Sequence, residues 1–277
     1  MMKALPIAFA LFATFAIAQP AAAQTKGYEP QVGQAGKDVI WVPTPDEVVE
    51  RMLRMAQTTK DDLVYDLGAG DGKIAIVAAR KFGARSVGIE YNPDMAKHAQ
   101  SNAEKAGVAG RARIIQGDIF ATDFTQATVV TLYLLPALNL KLRPTILAMK
   151  PGTRVVSHSF TMDDWEPDET ANMDGRRAYF WLVPTNVMGN WTVDSGAEKL
   201  QLSFEQRYQK IEGQVTLSST MQGGLRDARL RGSAIAFAFV DNNGMRRDFT
   251  GRVLGQRMEG GFRTENGKEG PWSAVKK

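Results

Sequence analysis

The 277-residue chain contains no cysteine, which excludes disulfides, thiolate metal sites and a cysteine nucleophile. Two histidines, His98 and His158, are too few for a histidine-rich metal centre, and no metal is expected. Long apolar runs are also scarce. The stretch 4–18 spans 15 residues, short of the roughly 20 that a membrane-spanning helix needs. It follows Lys3 and precedes Ala21-Ala22-Ala23, the small residues a signal peptidase requires. Residues 1–23 therefore read as a cleaved secretory signal, which implies a periplasmic or secreted protein with no stable membrane insertion; an uncleaved anchor is the weaker reading. No block of one charge sign is present either. The 34 Lys and Arg are interspersed with 30 Asp and Glu, a net charge of +4. A basic pI without clustering does not make a nucleic-acid footprint, and no nucleic-acid partner is expected.

What the chain does have is 44% apolar and 23% charged residues, enough for an α/β domain plus a smaller one. Residues 24–37 lack apolar periodicity and read as a flexible lead with no chemistry of its own. Thr44 or Asp46 is placed to cap a helix that carries Val48, Val49, Met52, Leu53 and Met55 on one face. Apolar strands are then expected at 63–67, 86–90, 112–117, 128–134 and 154–160, separated by helices at 73–81, 93–106 and 138–149. This alternation predicts right-handed crossovers and a Rossmann-like, mostly parallel sheet covered on both faces.

A strand at 177–183 closes that domain, which spans 38–184. No helical period appears after Gly189. Strands are expected at 200–204, 209–211, 214–218, 228–230, 234–240, 247–253 and 257–259, with Asp241-Asn242-Asn243-Gly244 as a hairpin turn. Residues 185–277 are expected to form a small antiparallel β domain, whose composition suggests a lipocalin-like barrel with tryptophans plugging one end; a packing or partner-docking module without a ligand is the reading preferred over it.

The informative segment is Asp66-Leu67-Gly68-Ala69-Gly70-Asp71-Gly72-Lys73, where a strand runs through alternating glycines into a helix. Such a turn lets backbone approach a ligand at the carboxyl edge of a parallel sheet. A dinucleotide loop would place its third glycine where Lys73 stands, and Asp66 and Asp71 would repel a pyrophosphate. A sulfonium ligand that also carries an ammonium group fits better. Glu90 ends the next strand and can accept hydrogen bonds from two ribose hydroxyls, with Tyr91 against an adenine. After the third strand, Asp118 can accept the adenine amino group and Ile119 can lie beside the ring.

In this order the residues resemble a class I S-adenosylmethionine (SAM)-dependent methyltransferase. Together with Val42-Pro43-Thr44-Pro45 and Gly88-Ile89-Glu90-Tyr91-Asn92-Pro93, they are similar to the protein-lysine methyltransferases related to the ATP synthase c-subunit enzyme. The resemblance implies a seven-stranded sheet, SAM as methyl donor, and a protein acceptor such as lysine. It also implies cofactor contacts by Asp66, Gly68, Ala69, Gly70, Asp71, Gly72, Glu90, Tyr91, Asp118 and Ile119.

Candidates for the acceptor mouth are Tyr133-Leu134-Leu135-Pro136 and Ser157-His158-Ser159-Phe160. Tyr133 and His158 are the candidate catalytic residues, although His158 reads more readily as a hydrogen-bonded structural histidine. Asp163-Asp164-Trp165 can frame a cationic substrate or form a packed loop. Two other readings stay open: an exported, non-catalytic binding module on this fold, and a small-molecule or lipid methyltransferase whose barrel presents an apolar substrate.

Overall fold

Alternating apolar runs and glycine turns become two sheets in the computed structural model, which describes residues 28–277 apart from 197, 219 and 220. The expected signal at 1–23 lies outside the described residues. Among those residues, no helix is long and apolar enough to cross a membrane.

The first sheet contains β1 (Leu63–Leu67), β2 (Arg85–Glu90), β3 (Ala112–Gln116), β4 (Val129–Leu132), β5 (Arg154–His158), β6 (Glu169–Met173) and β7 (Arg176–Leu182). Their order is β3-β2-β1-β4-β5-β7-β6. The first five strands are parallel and β7 runs antiparallel between β5 and β6. The connection reverses direction on either side of β1, so a crevice opens at the carboxyl ends of β1 and β4.

Helices α1 (Asp46–Met55) and α2 (Lys73–Phe82) bury Val48, Val49, Met52, Ile74 and Ala78 against Val64, Val129 and Val156 on one face. On the other face, Leu142 and Ile146 of α4 (Pro136–Leu147) join Leu67, Leu132, Val155 and Trp181. Helix α3 (Pro93–Lys105) starts with Asn92, whose side chain accepts from the amides of Asp94 and Met95. The cap expected for α1 is absent: Pro45 occupies the N-cap position, with no side-chain cap bond. Thr44 turns instead toward His158.

The second sheet contains β8 (Gly189–Asp194), β9 (Lys199–Arg207), β10 (Lys210–Ser218), β11 (Met221–Gly224), β12 (Arg226–Arg231), β13 (Ala234–Val240), β14 (Arg246–Leu254), β15 (Arg257–Thr264) and β16 (Glu269–Lys276). It is antiparallel in the order β11-β10-β9-β8-β16-β15-β14-β13-β12, and the amide of Leu225, which links the edge strands β11 and β12, bonds the Gly213 carbonyl of β10 at 2.8 Å. Gly251 pairs with Gly260 across β14 and β15. A Cβ on Gly260 would lie 1.9 Å from the Thr250 carbonyl oxygen, and one on Gly251 would lie 2.8 Å from the Trp272 ring, so this pair lets the sheet bend around the indole.

The interior is filled by Phe204, Phe237, Phe249, Phe262 and Trp272, with Phe237 and Phe249 stacked at 5.0 Å. This corrects the expectation of tryptophans at one end. Trp272 lies edge-on to both Phe237 and Phe249, at 5.6 Å from each, within that aromatic core. Trp191 pairs with Lys276, four residues further along β16.

Candidate active site

A cavity of about 330 Å³ opens where β1, β2 and β4 end. Its floor begins with the strand-to-helix turn. Gly68, Gly70 and Gly72 all have positive φ, at 81°, 54° and 82°, a region that disfavours side chains with a Cβ. The amides of Gly68 and Ala69 both bond the Ile89 carbonyl at 2.9 Å, which ties the turn to the end of β2. Gly70 is constrained from above as well, since a Cβ there would lie 2.5 Å from Trp41 Nε1.

Asp66 is buried at the end of β1. Thr131 of β4 donates its hydroxyl to Oδ1 at 2.7 Å, while Oδ2 has no partner. Burial pushes the carboxyl up to about 7; the negative charges of Asp71 and Glu90 add to the shift and the Thr131 bond opposes it. A buried carboxylate oxygen without a donor, beside a cavity, is suited to a ligand's ammonium group.

Glu90 accepts from the Gly70 amide through Oε2 and from the Asn92 amide through Oε1, each at 2.9 Å. Its carboxyl is raised by burial, against the pull of these backbone bonds. Asp71 accepts from the Lys73 amide at 3.2 Å and so shapes the turn. Tyr91 and Ile119 line the cavity with Asp118.

The end of the segment read as a chemically silent lead, Gln34 to Lys37, joins the start of the methyltransferase domain in forming the roof, contrary to expectation. Residues Gln34 through Thr44 line the cavity, folded on themselves by a bridge between Ala35 and Ile40. Lys37 Nζ lies 2.7 Å from Asp118 Oδ2 and 4.7 Å from the centre of the Tyr91 ring. This pairing holds the Asp118 carboxyl below its usual value and raises Lys37. Lys73 pins the far end of the roof, donating to the Thr44 carbonyl at 3.1 Å. Nothing in the composition of 34–37 announces this, because the partner of Lys37 lies 81 residues away; the Trp41-Val42-Pro43-Thr44-Pro45 segment was the one available signal.

The opposite wall is apolar and aromatic: Tyr133, Leu134, Leu135, Leu138 and Phe160. The Tyr133 and Phe160 rings stack at 6.2 Å with 21° between planes. Gly72 and His158, both singled out in the sequence, do not line the cavity. Gly72 starts α2 and packs against Ala99. His158 lies behind the wall, its ring 4.0 Å from Tyr133 and Nδ1 3.3 Å from Thr44 Oγ1. Burial, with help from the charge of Arg176, pushes its pKa down to about 4, so it is neutral at physiological pH.

The Asp163-Asp164-Trp165 segment is not at the mouth either. Asp164 pairs with Arg143 and with Arg207 of the β domain, and Trp165 is fully buried. Arg207 first, then Arg143 and Tyr208, holds the Asp164 carboxyl down at about 2 against the opposing effect of desolvation.

A seven-stranded sheet with a reversed edge, a glycine turn at the end of β1 and acids at the ends of β1 and β2 define a SAM-dependent methyltransferase. The known proteins agree. The model of the ANTKMT methyltransferase domain matches residues 66–169. A protein-lysine N-methyltransferase of Saccharolobus islandicus (strain REY15A) is 48% identical over 138 residues, covering 49% of this chain and 86% of that protein. The ATP synthase c-subunit lysine N-methyltransferase of Mus musculus is 34% identical over 134 residues, covering 47% of this chain and 52% of that protein, so the chain spans about half of that relative's length. The crystal structure of an RNA methyltransferase from Salinibacter ruber, in complex with S-adenosyl-L-homocysteine, has 52% identity and a TM-score of 0.52 over 53% of this chain and 96% of that one. The chain belongs to the methyltransferase family that contains the Saccharolobus islandicus enzyme.

The residues present suit SAM. The cavity's acidic pole has a buried carboxylate oxygen awaiting a donor, and its glycine turn leaves room for a ligand against backbone.

Proposed function

We propose that this enzyme methylates a protein side chain, with lysine as the acceptor. The observation that carries this reading is the aromatic wall beside the acidic pole. Stacked Tyr133 and Phe160, flanked by Leu134, Leu135 and Leu138, suit a long aliphatic stem that ends in a basic nitrogen. The Saccharolobus and mouse relatives named as lysine N-methyltransferases support it.

Bound SAM supplies an electrophilic methyl group on a sulfonium. Asp66 would hold its ammonium, Glu90 its ribose hydroxyls, and Tyr91 and Ile119 its adenine. Asp118 would act through Oδ2, which it shares with Lys37. Trp41 covers the glycine turn, since a Cβ on Gly70 would lie 2.5 Å from its Nε1. An acceptor amine must arrive neutral, although its ordinary pKa is about 10.4. The apolar wall favours the uncharged form, and Tyr133 on that wall carries a hydroxyl to orient the amine. His158, held behind Tyr133, does not reach the acceptor.

Export past the signal at 1–23 belongs to the same proposal, supported by Lys3 and the apolar run that follows. Cell fractionation of the tagged protein checks it, and an exclusively cytoplasmic, unprocessed product would contradict it.

A second reading, an RNA acceptor, is favoured by the likeness to the Salinibacter RNA methyltransferase. Residues 28–184 weigh against it, carrying 18 Lys and Arg to 20 Asp and Glu, which is not the basic footprint RNA binding needs. A lipid presented by the barrel is disfavoured by the aromatic side chains that fill its interior. Incubation of a cell extract with the enzyme and methyl-labelled SAM decides among these. Label is expected in acid-hydrolysed protein as methyl-lysine; label confined to RNA or to the lipid fraction would overturn the lysine reading.

A further inference from the structure

Phe160 brings the loop after β5 into the cavity wall, and that loop does not hold its path alone. Ser159 and Asp163 have φ of 63° and 57°, a region where side chains with a Cβ persist only when surrounding contacts impose it. Helix α4 supplies one set of contacts. Asn139 Nδ2 donates to the carbonyls of Phe160 and Thr161 at 3.4 and 3.2 Å, and Arg143 donates to the Met162 carbonyl at 2.8 Å.

The other set comes from the β domain, at the tip of the β9–β10 hairpin. The Tyr208 hydroxyl lies 3.1 Å from both carboxylate oxygens of Asp164, and Arg207 donates to Oδ2 at 2.8 Å. The Tyr208 ring stacks on Trp165 at 5.9 Å with 25° between planes, and the Arg143 guanidinium lies 5.5 Å from its centre. Gln209 donates to the Glu166 carbonyl at 2.7 Å, and Lys210 pairs with the Glu166 carboxylate at the same distance. Trp165 is fully buried and its carbonyl accepts from Trp181 Nε1, so the hairpin tip and the methyltransferase core grip the loop between them.

We propose that Tyr208 is a positioning residue for methyl transfer: the β domain, through the Tyr208 contact with Asp164 and Trp165, fixes the loop that carries Phe160 and so sets acceptor binding without touching the cofactor site. The interaction is long-range in sequence: Asp164 and Trp165 lie within the stretch matched by the family model, and Tyr208 lies outside it. It rests on the methyltransferase activity and not on lysine as the acceptor.

The test uses the full chain with Tyr208→Ala, Tyr208→Phe and Asp164→Asn, each read by three measurements. The first is hydrogen exchange of peptides covering 159–166. The second is S-adenosyl-L-homocysteine affinity by calorimetry. The third is the half-saturating concentration of poly-L-lysine in methyl transfer. Tyr208→Ala is expected to speed exchange at 159–166 about tenfold and raise the half-saturating acceptor concentration severalfold, with cofactor affinity within about twofold of the unaltered chain. Tyr208→Phe, which keeps the stack and loses the hydroxyl, should fall in between and thereby rescue part of the loss. Unchanged exchange at 159–166 in Tyr208→Ala overturns the proposal. So does exchange that rises equally across the whole sheet with loss of cofactor affinity, because the β domain would then only stabilise the fold. If the unaltered enzyme leaves poly-L-lysine unlabelled, the lysine reading fails, while the exchange and affinity results still decide the role of Tyr208.

Discussion

At the ends of β1, β2 and β4 the methyltransferase sheet keeps a cavity of about 330 Å³ with a buried, half-satisfied carboxylate on its edge, whereas the interior of the nine-stranded sheet is filled by Phe204, Phe237, Phe249, Phe262 and Trp272. Parallel strands joined by helices leave their carboxyl ends open, and polar side chains there can wait for a ligand. Antiparallel strands with alternating inward residues can fill the space they enclose with apolar side chains, and here they do so with aromatic rings. Chemistry and packing are thus divided between the two sheets. The division of charge follows, with 18 Lys and Arg against 20 Asp and Glu in residues 28–184 and 14 against 10 in residues 185–277.

Removing a ring from the packed sheet should give the largest change. Phe249→Ala deletes a side chain that stacks on Phe237, Phe239 and Phe262, and a loss of about 3 to 5 kcal/mol is expected from thermal or urea unfolding, with cofactor affinity preserved. A comparable loss of cofactor binding would break the separation of the two sheets.

Next is Glu90→Ala in the hollow sheet. Two charge-assisted hydrogen bonds of about 1.5 to 3 kcal/mol each correspond to a loss of SAM affinity of about 100-fold or more, measured by calorimetry, alongside a smaller loss in unfolding because the Gly70 and Asn92 amides lose their acceptor.

The pH dependence sharpens the same contrast. The carboxyl of Asp66 stands at about 7 in the folded protein against 3.8 ordinarily, so folding favours its protonated form. Without ligand, its contribution to stability is greatest below pH 4 and is lost as the pH rises through 7, where a charge must stay buried. A cationic ligand prefers the ionised form, so SAM affinity should rise up to tenfold per unit as pH approaches 7 and then level off. Asp66→Asn should flatten that profile, and a profile unchanged by the substitution would remove Asp66 from the site.

His158→Gln is a smaller perturbation. A general base contributes about 100- to 10,000-fold, and a buried neutral histidine behind Tyr133 should cost less than about tenfold in transfer rate.

Lys37→Ala is the smallest. It releases an exposed pair with Asp118, and a two- to fivefold faster cofactor dissociation is expected by stopped flow.

Much of this division was legible in the sequence, for identifiable reasons. Strands β1 to β5 follow apolar runs bounded by glycine or proline, and the Asp66 to Gly72 turn and Glu90 lie where β1 and β2 end. Strand β6 was missed because only Ala171 of its five residues is buried, leaving no apolar alternation at a sheet edge. In the β domain, Gly213 split β10 into two expected strands, although it is a place of close approach where a Cβ would lie 2.3 Å from the Ser203 carbonyl oxygen. Helix α4 begins at Pro136 and not at Leu138, since proline at the first helical position has no amide to satisfy. Of the roof only the Trp41 to Pro45 segment stood out, and the Asp164–Tyr208 contact left no local trace, because the partners are distant in sequence. For the roof and the hairpin contact the missing information was tertiary.

The most direct measurement is calorimetric titration of SAM into the full chain and into Glu90→Ala at pH 8, where Asp66 is ionised. One site, with affinity reduced about 100-fold in a variant that stays folded at the temperature of titration, is the predicted result. No binding at millimolar SAM, or equal affinity in the two proteins, would contradict a cofactor site built from the ends of β1 and β2.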